Sequence, residues 1–263
     1  DGWDGLAGYL AKKDVSLRDA ADMGLIATRR DGSGYYDRFR HRLMFPISDA
    51  HGRIVAFSGR ILADPPGRTP SDDPSPKYVN SPETALYKKG EILYGLYEGR
   101  VALRREGLAV LCEGNFDLVA LHQAGFENAV APMGTALTPE QAKLLRRYAE
   151  KVVLLFDGDK AGRKAVHAAY PSLRDAAISA QVAVLPEGED PDSFLRREGA
   201  AALKTRFDTA PGIVTHLIDE AVAESGVEPE ARARAIAGLG PVIIKIDSPV
   251  ESRLYIERIA QRF

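Results

Sequence analysis

Between residues 108 and 200, short apolar runs alternate with helical patterns, and this alternation limits the fold more than any other feature of the chain. Leu108–Cys112, Ala129–Ala131, Val152–Phe156 and Val182–Leu185 are near-continuous runs of small, branched and aromatic apolar residues. Runs of that length without polar alternation predict strands buried on both faces. Between and after them, Phe116–Gln123, Pro139–Tyr148, Ala161–Ala169 and Pro191–Glu198 carry helical spacing. Strands separated by helices predict an α/β fold, a mainly parallel sheet with helices on its faces. In such sheets ligands bind beyond the carboxyl ends of the strands.

Three of the predicted strands run into acids at that end. Val152–Phe156 is followed by Asp157-Gly158-Asp159, Leu108–Cys112 by Glu113-Gly114, and Val182–Leu185 by Pro186-Glu187-Gly188-Glu189-Asp190-Pro191-Asp192. Asp157 and Asp159 are two apart, so on an extended backbone they point to one side. Adjacent glycines allow close approach. Carboxylates a few ångströms apart repel by roughly 1 kcal/mol in water and by several times that when partly buried. A bound cation relieves the conflict. An all-oxygen donor set suits Mg2+, which typically takes one or two carboxylates and completes its shell with water and phosphate oxygens. The chemistry implied is phosphoryl or nucleotidyl transfer. By itself, Asp-Gly-Asp before Ala161-Gly162-Arg163-Lys164 is equally well a turn and a helix N-cap.

The flanking segments differ in composition. The chain has 263 residues, 45% of them hydrophobic and 27% charged, which excludes disordered and fibrous classes. No apolar run reaches the roughly 18 residues of a membrane-spanning helix, and the expected location is the cytoplasm. The net charge of −2 hides an uneven distribution: residues 1–107 carry 17 Lys and Arg against 15 Asp and Glu, and residues 108–200 carry 10 against 13. Seven arginines fall between 28 and 60. A basic segment beside an acidic one suggests a polyanionic partner and a cation site. The single cysteine, Cys112, supplies no zinc site within this chain.

Three segments are expected: a basic N-terminal α+β subdomain over 1–107, a sheet subdomain over 108–200 and a helical subdomain over 201–263. In the first, Ser16 predicts a helix start at Leu17. Arg42–Ile47 and Arg53–Phe57 flank Asp49-Ala50-His51-Gly52 as a hairpin. Asp64 to Pro76 reads as an exposed loop, and a helix is expected to begin near Ser81-Pro82 or after Gly90. Arg38, Arg40 and Arg42 alternate and would share one face of an extended backbone, with Tyr35, Tyr36 and Phe39 either stacking on bases or packed in the core.

The acids after three strands resemble the Toprim arrangement shared by bacterial primases, topoisomerases and some nucleases. Longer strings narrow the resemblance. Leu43-Met44-Phe45-Pro46-Ile47, Gly52 to Arg60, Pro76-Lys77-Tyr78-Val79-Asn80-Ser81-Pro82-Glu83-Thr84, Leu93-Tyr94-Gly95-Leu96, Gly134-Thr135-Ala136-Leu137-Thr138 and Gly188-Glu189-Asp190-Pro191-Asp192 are similar, in the same order, to the RNA polymerase core of DnaG-type primases. They cover about residues 1–200. The resemblance implies that Asp157, Asp159 and Asp190 bind divalent metal, Mg2+ or alternatively Mn2+, with Asp192 nearby. It implies that Glu113 is the essential acid beside the metals, as ligand or proton relay, and that Asp117 supports the site. Lys77, Asn80, Lys89 and Arg60 would face nucleotide or template. Asn115 departs from the family, which often has an aromatic there.

The implied activity is synthesis of short RNA primers on single-stranded DNA, with ribonucleoside triphosphates as substrates and an RNA–DNA hybrid as product, at the replication fork in the nucleoid. A zinc ribbon before this core, and a replicative-helicase-binding domain after it, are expected to lie outside the chain. Rival expectations are a Toprim-type nuclease and a non-catalytic single-stranded-DNA-binding scaffold whose acids only cap helices.

Overall fold

A computed structural model describes residues 2–62, 76–134 and 136–263. The chain divides into two compact units, residues 1–98 and 99–263. The proline-rich stretch expected as a loop over 64–76 lies, except for Pro76, outside the described residues, as does Thr135.

The first unit holds helices α1 (Gly5–Lys12) and α2 (Leu17–Asp22) and strands β1 (Ile26–Thr28), β2 (Tyr35–Asp37), β3 (Arg42–Ser48), β4 (Ile54–Ile61), β5 (Tyr78–Asn80) and β6 (Leu93–Tyr94). The expected cap is present: Ser16 Oγ accepts a hydrogen bond from Asp19 N–H at the start of α2. The amide groups at the start of α1 find a distant partner instead. Buried Asp37 accepts from Leu6 N–H at 2.8 Å and from Ala7 N–H at 3.0 Å, which satisfies donors that a helix leaves open at its first turn. β3 and β4 form the predicted antiparallel hairpin, and β5 extends that sheet from the other edge of β4.

One expectation for this unit fails, and of the two starts expected for a helix only the second is taken. The backbone is not extended from Tyr35 to Arg42, because β2 ends at Asp37 and His41 adopts φ +52° before β3. The three arginines therefore take separate partners: Arg38 donates to Asn80 O, Arg42 donates to Gly59 O, and Arg40 lies 4.3 Å from the Trp3 ring and 5.1 Å from that of Tyr36. No helix begins at Ser81-Pro82 either. Ser81 instead bridges back to β4, its N–H to Phe57 O and its hydroxyl accepting from Phe57 N–H. A short turn over Lys89–Glu91 precedes β6, and the helix expected after Gly90 is α3 (Leu96–Glu106).

The second unit follows the predicted alternation: β7 (Leu108–Leu111), α4 (Asn115–Gln123), β8 (Ala129–Pro132), α5 (Pro139–Arg146), β9 (Lys151–Phe156), α6 (Lys160–Asp175), β10 (Ser179–Val184) and α7 (Pro191–Asp208). These four strands lie side by side in the order β10-β9-β7-β8, each neighbouring pair parallel. Burial explains the apolar runs. Ala109 to Leu111, Ala129 to Ala131 and Val152 to Leu155 are at most 1% exposed, so helices cover both faces of these strands. Thr138 and Gln141 build a capping box at the start of α5, where Pro139 takes the first helical position. α7 runs ten residues past the predicted Glu198, turning at Gly199, whose φ of +79° breaks the helical path. Helices α8 (Ile213–Ser225), α9 (Pro229–Ile243) and α10 (Pro249–Arg262) complete the unit. Among the described residues no helix is long and apolar enough to cross a membrane.

Candidate active site

The strand order sets β7, β9 and β10 next to one another, so the acids after each meet along one edge of the sheet. Glu113 follows β7 through Cys112. Its Oε1 accepts from the Asp157 N–H at 3.3 Å, linking the turn after β7 to the turn after β9. Asp159 is the N-cap of α6, accepting from Ala161 N–H at 2.8 Å and Gly162 N–H at 2.9 Å. Asp190 caps α7 through Ser193 N–H at 2.7 Å. Asp117, in the first turn of α4, accepts from Gly114 N–H at 3.1 Å. The helix-cap reading of Asp159 is thus correct, and Asp190 caps its own helix in the same way.

Two glycines are required by the packing of this edge. A Cβ on Gly162 would stand 2.1 Å from Asp157 O, and one on Gly158 would stand 2.6 Å from Leu185 O. Both neighbours are backbone atoms and have little freedom to move, so only glycine lets the turn after β9 lie against the start of α6 and the end of β10.

Charge at this edge is strained. Burial, and then the charges of Asp157, Asp190 and Glu113, push the Asp117 carboxyl up to about 7. Burial, with Glu113, Asp190 and Asp159, pushes Asp157 up to about 6. Glu113 is raised by burial and by Asp159, against the pull of its hydrogen bond from Asp157. Asp190 moves the opposite way, held down chiefly by the Ser193 amide. Asp117, Asp157 and Glu113 therefore each sense neighbouring carboxylates, Asp159 and Asp190 among them. Their donor set is entirely oxygen, the set that hard divalent cations prefer, and a cation there would offset the repulsion that raises Asp117, Asp157 and Glu113. Among the described residues no three His, Cys, Asp or Glu side chains already form a metal-holding group.

Asp192, in the first turn of α7, is paired with Arg196 one helical turn along at 2.9 Å. Arg60 and Asn80 lie in the three-stranded sheet of the first unit, with Lys77 beside it. Arg60 sits opposite Tyr78 in register, its guanidinium 5.9 Å from that ring. Lys77 is exposed and lies immediately before β5. Asn80 pairs with Ser58, and its side-chain oxygen is buried with no hydrogen-bond partner among the described residues. Lys89 opens the short turn before β6, its backbone N–H on Glu83 Oε1.

The residue that sequence reasoning passed over is Arg163. Its Nη1 donates to Gly158 O at 3.3 Å, inside the acidic turn. A cation four residues beyond Asp159, on the first turn of α6, is the sequence signal that could have marked it.

Comparison with known proteins extends this geometry. Residues 1–100 match the family model described as DNA primase catalytic core, N-terminal domain; residues 110–195 match Toprim-like; and residues 216–263 match the DnaB-helicase binding domain of primase. The last match overturns the expectation that a helicase-binding segment lies outside this chain. The segment corresponds to α8 to α10, for which the sequence predicts only a helical subdomain. A DNA primase of Halalkalibacterium halodurans is 44% identical over 202 residues, which is 77% of this chain and 32% of that protein. A DNA primase domain from Pseudomonas aeruginosa superimposes with a TM-score of 0.84 at 38% identity, covering 99% of this chain and 80% of that one. A DnaG primase catalytic domain bound to ssDNA superimposes at 0.82 with 33% identity, covering 99% and 82%. The chain spans between about a third and two fifths of the length of the curated relatives it matches.

Proposed function

This chain belongs to the DnaG-type DNA primase family, and from that premise we propose that it is the RNA polymerase core of a primase, making short RNA primers on single-stranded DNA. The carrying observation is the set of coupled carboxyl groups on three adjacent strand ends, above all the raised Asp157 tied to Glu113. Asp157, Asp159 and Asp190 would hold Mg2+, with Mn2+ as a substitute and Asp192 within the same acidic stretch. Bound there, the metal supplies activation of the attacking hydroxyl and neutralisation of the departing pyrophosphate.

The chain's own residues prepare this. Helix-cap hydrogen bonds orient Asp159 and Asp190 before any ligand arrives. Glu113, through the Asp157 amide, holds the turn after β9 in place and is itself close enough to the acids to bind or to carry a proton. Asp117 steadies the turn after β7 through Gly114. We assign nucleotide and template contacts to Arg60, Lys77, Asn80 and Lys89 in the basic segment 1–107, chemistry to 108–200, and contact with the replicative helicase to the helical segment 201–263. Ribonucleoside triphosphates are the substrates, an RNA–DNA hybrid the product and the cytoplasmic replication fork the place of action. The similarity to a primase catalytic domain bound to ssDNA supports a single-stranded template, and the helicase-binding family model supports the helicase partner.

The test is extension of a supplied primer on single-stranded template with labelled ribonucleotides and Mg2+. Template-directed incorporation that Asp157→Asn abolishes supports the proposal. Nicking of DNA without incorporation supports a nuclease in its place, and DNA binding without metal affinity supports a scaffold.

A further inference from the structure

The acidic turn is held from outside the sheet as well as within it. Arg163, on the first turn of α6, donates from Nη1 to Gly158 O at 3.3 Å, the carbonyl between Asp157 and Asp159. Its Nε faces the other way and pairs with Glu220 Oε1 on α8 at 3.3 Å and with Glu224 Oε1 at 3.7 Å. Glu220 is largely buried, its side chain 11% exposed. Its second oxygen lies 3.0 Å from His167 Nε2, one turn further along α6. Both carboxylate oxygens of Glu220 thus have partners on α6, and one of those partners carries the turn. All these residues lie in the second unit.

Packing does not fix that side of the turn. A cavity of about 60 Å3 is lined by Asp157, Gly158, Gly162, Arg163 and the α8 residue His216, together with apolar residues of β9, α6 and β10. Void against backbone removes the contacts that would otherwise resist displacement. The opposite side is closed, since a Cβ at Gly158 would strike Leu185 O at 2.6 Å. On the cavity side the guanidinium ties the turn at Gly158 O, while Glu113 holds the Asp157 amide and the α6 cap holds Asp159. A planar, forked donor suits this double attachment, and a lysine would reach only one partner at a time.

We infer that Arg163 is a positioning residue, which ties the Asp157–Asp159 turn to α8 through Glu220 so that the C-terminal helices bias the spacing of the acids. Its bearing on metal rests on the reading of those acids given above. The consequence is directional: a change on α8 that draws Glu220 away releases Gly158 and loosens the acid set. Glu220 and Glu224 on α8 lie in the segment 216–263 that matches the helicase-binding model, so a partner on those helices has a short physical route to the site.

The experiment uses the whole chain as wild type, Arg163→Met, Glu220→Gln and the double variant, with Asp159→Asn as a control. Amide hydrogen exchange at residues 157–162 reads the turn, and calorimetric titration with Mn2+ reads the acids. Each single variant is expected to speed exchange at the turn and weaken Mn2+ about tenfold, with the double variant no worse than either single and exchange in β7 and β9 unchanged. Unchanged exchange and unchanged Mn2+ affinity in both single variants would overturn the inference, as would effects that multiply in the double variant or spread to β7 and β9. Faster exchange at the turn in a chain that binds no Mn2+, or whose Mn2+ affinity ignores Asp159→Asn, supports the link to α8 and overturns the metal reading instead.

Discussion

Replacing Asp117 with asparagine separates the electrostatic cost of the acid set from its use. The Asp117 carboxyl is pushed up to about 7 by burial and by Asp157, Asp190 and Glu113. That is a shift of roughly three units from the usual carboxylate value, and at about 1.4 kcal/mol per unit it sets a ceiling near 4 kcal/mol on the penalty for ionising it in the fold. Because the folded group keeps its proton to higher pH than the unfolded one, the fold gains most from it below about pH 4. That gain is lost as pH rises through about 7. Asparagine keeps an oxygen to accept the Gly114 amide and carries no charge. Without divalent ions, Asp117→Asn should stabilise the fold by about 2–4 kcal/mol at pH 8 and by close to nothing at pH 4. In differential scanning calorimetry this is a rise in Tm of several degrees at pH 8 only. Adding Mn2+ should shrink the difference, since a cation offsets the same repulsion. Equal Tm shifts at both pH values, or destabilisation at pH 8, would refute the electrostatic argument.

Other outcomes follow from the same geometry. Asp159→Asn should preserve the α6 cap and leave Tm within a degree or so, while Asp159→Ala should cost about 1 kcal/mol of cap energy; primer extension should be lost in both, so thermal melts and extension assays together divide structure from chemistry. Gly162→Ala forces a Cβ to within 2.1 Å of Asp157 O unless the backbone shifts, and it should destabilise by about 1–3 kcal/mol while weakening Mn2+ in calorimetry. Asp157 is pushed up to about 6 and must lose its proton to bind a cation, so Mn2+ affinity should tighten about tenfold or more from pH 5 to pH 7 and level off above that.

Much of the second unit was legible because its strands are buried on both faces and so read as unbroken apolar runs. Val152 to Phe156 and Leu108 to Leu111 emerge as β9 and β7. Caps were legible for the same local reason, as at Ser16 and Asp159. What sequence could not carry were contacts fixed by register between distant strands. Glu113 reaches the Asp157 amide across 44 positions only because β7 and β9 are parallel neighbours. Local backbone geometry misled in the other direction: Arg38, Arg40 and Arg42 are parted by the left-handed backbone at His41. α8 to α10 display only helical spacing, so the match of 216–263 to a helicase-binding model had no mark in the residue pattern.

In the proposed function the acids at the ends of β7, β9 and β10 direct nucleotidyl transfer with a divalent cation. Single-nucleotide extension of a primer on single-stranded DNA tests it most directly, with each ribonucleotide offered in turn, with and without Mg2+. Wild type should add only the template-complementary ribonucleotide, only when Mg2+ is present, and Asp157→Asn should add none while keeping its fold. Incorporation by Asp157→Asn at the wild-type rate, or cleavage of the template with no incorporation by either protein, would contradict it.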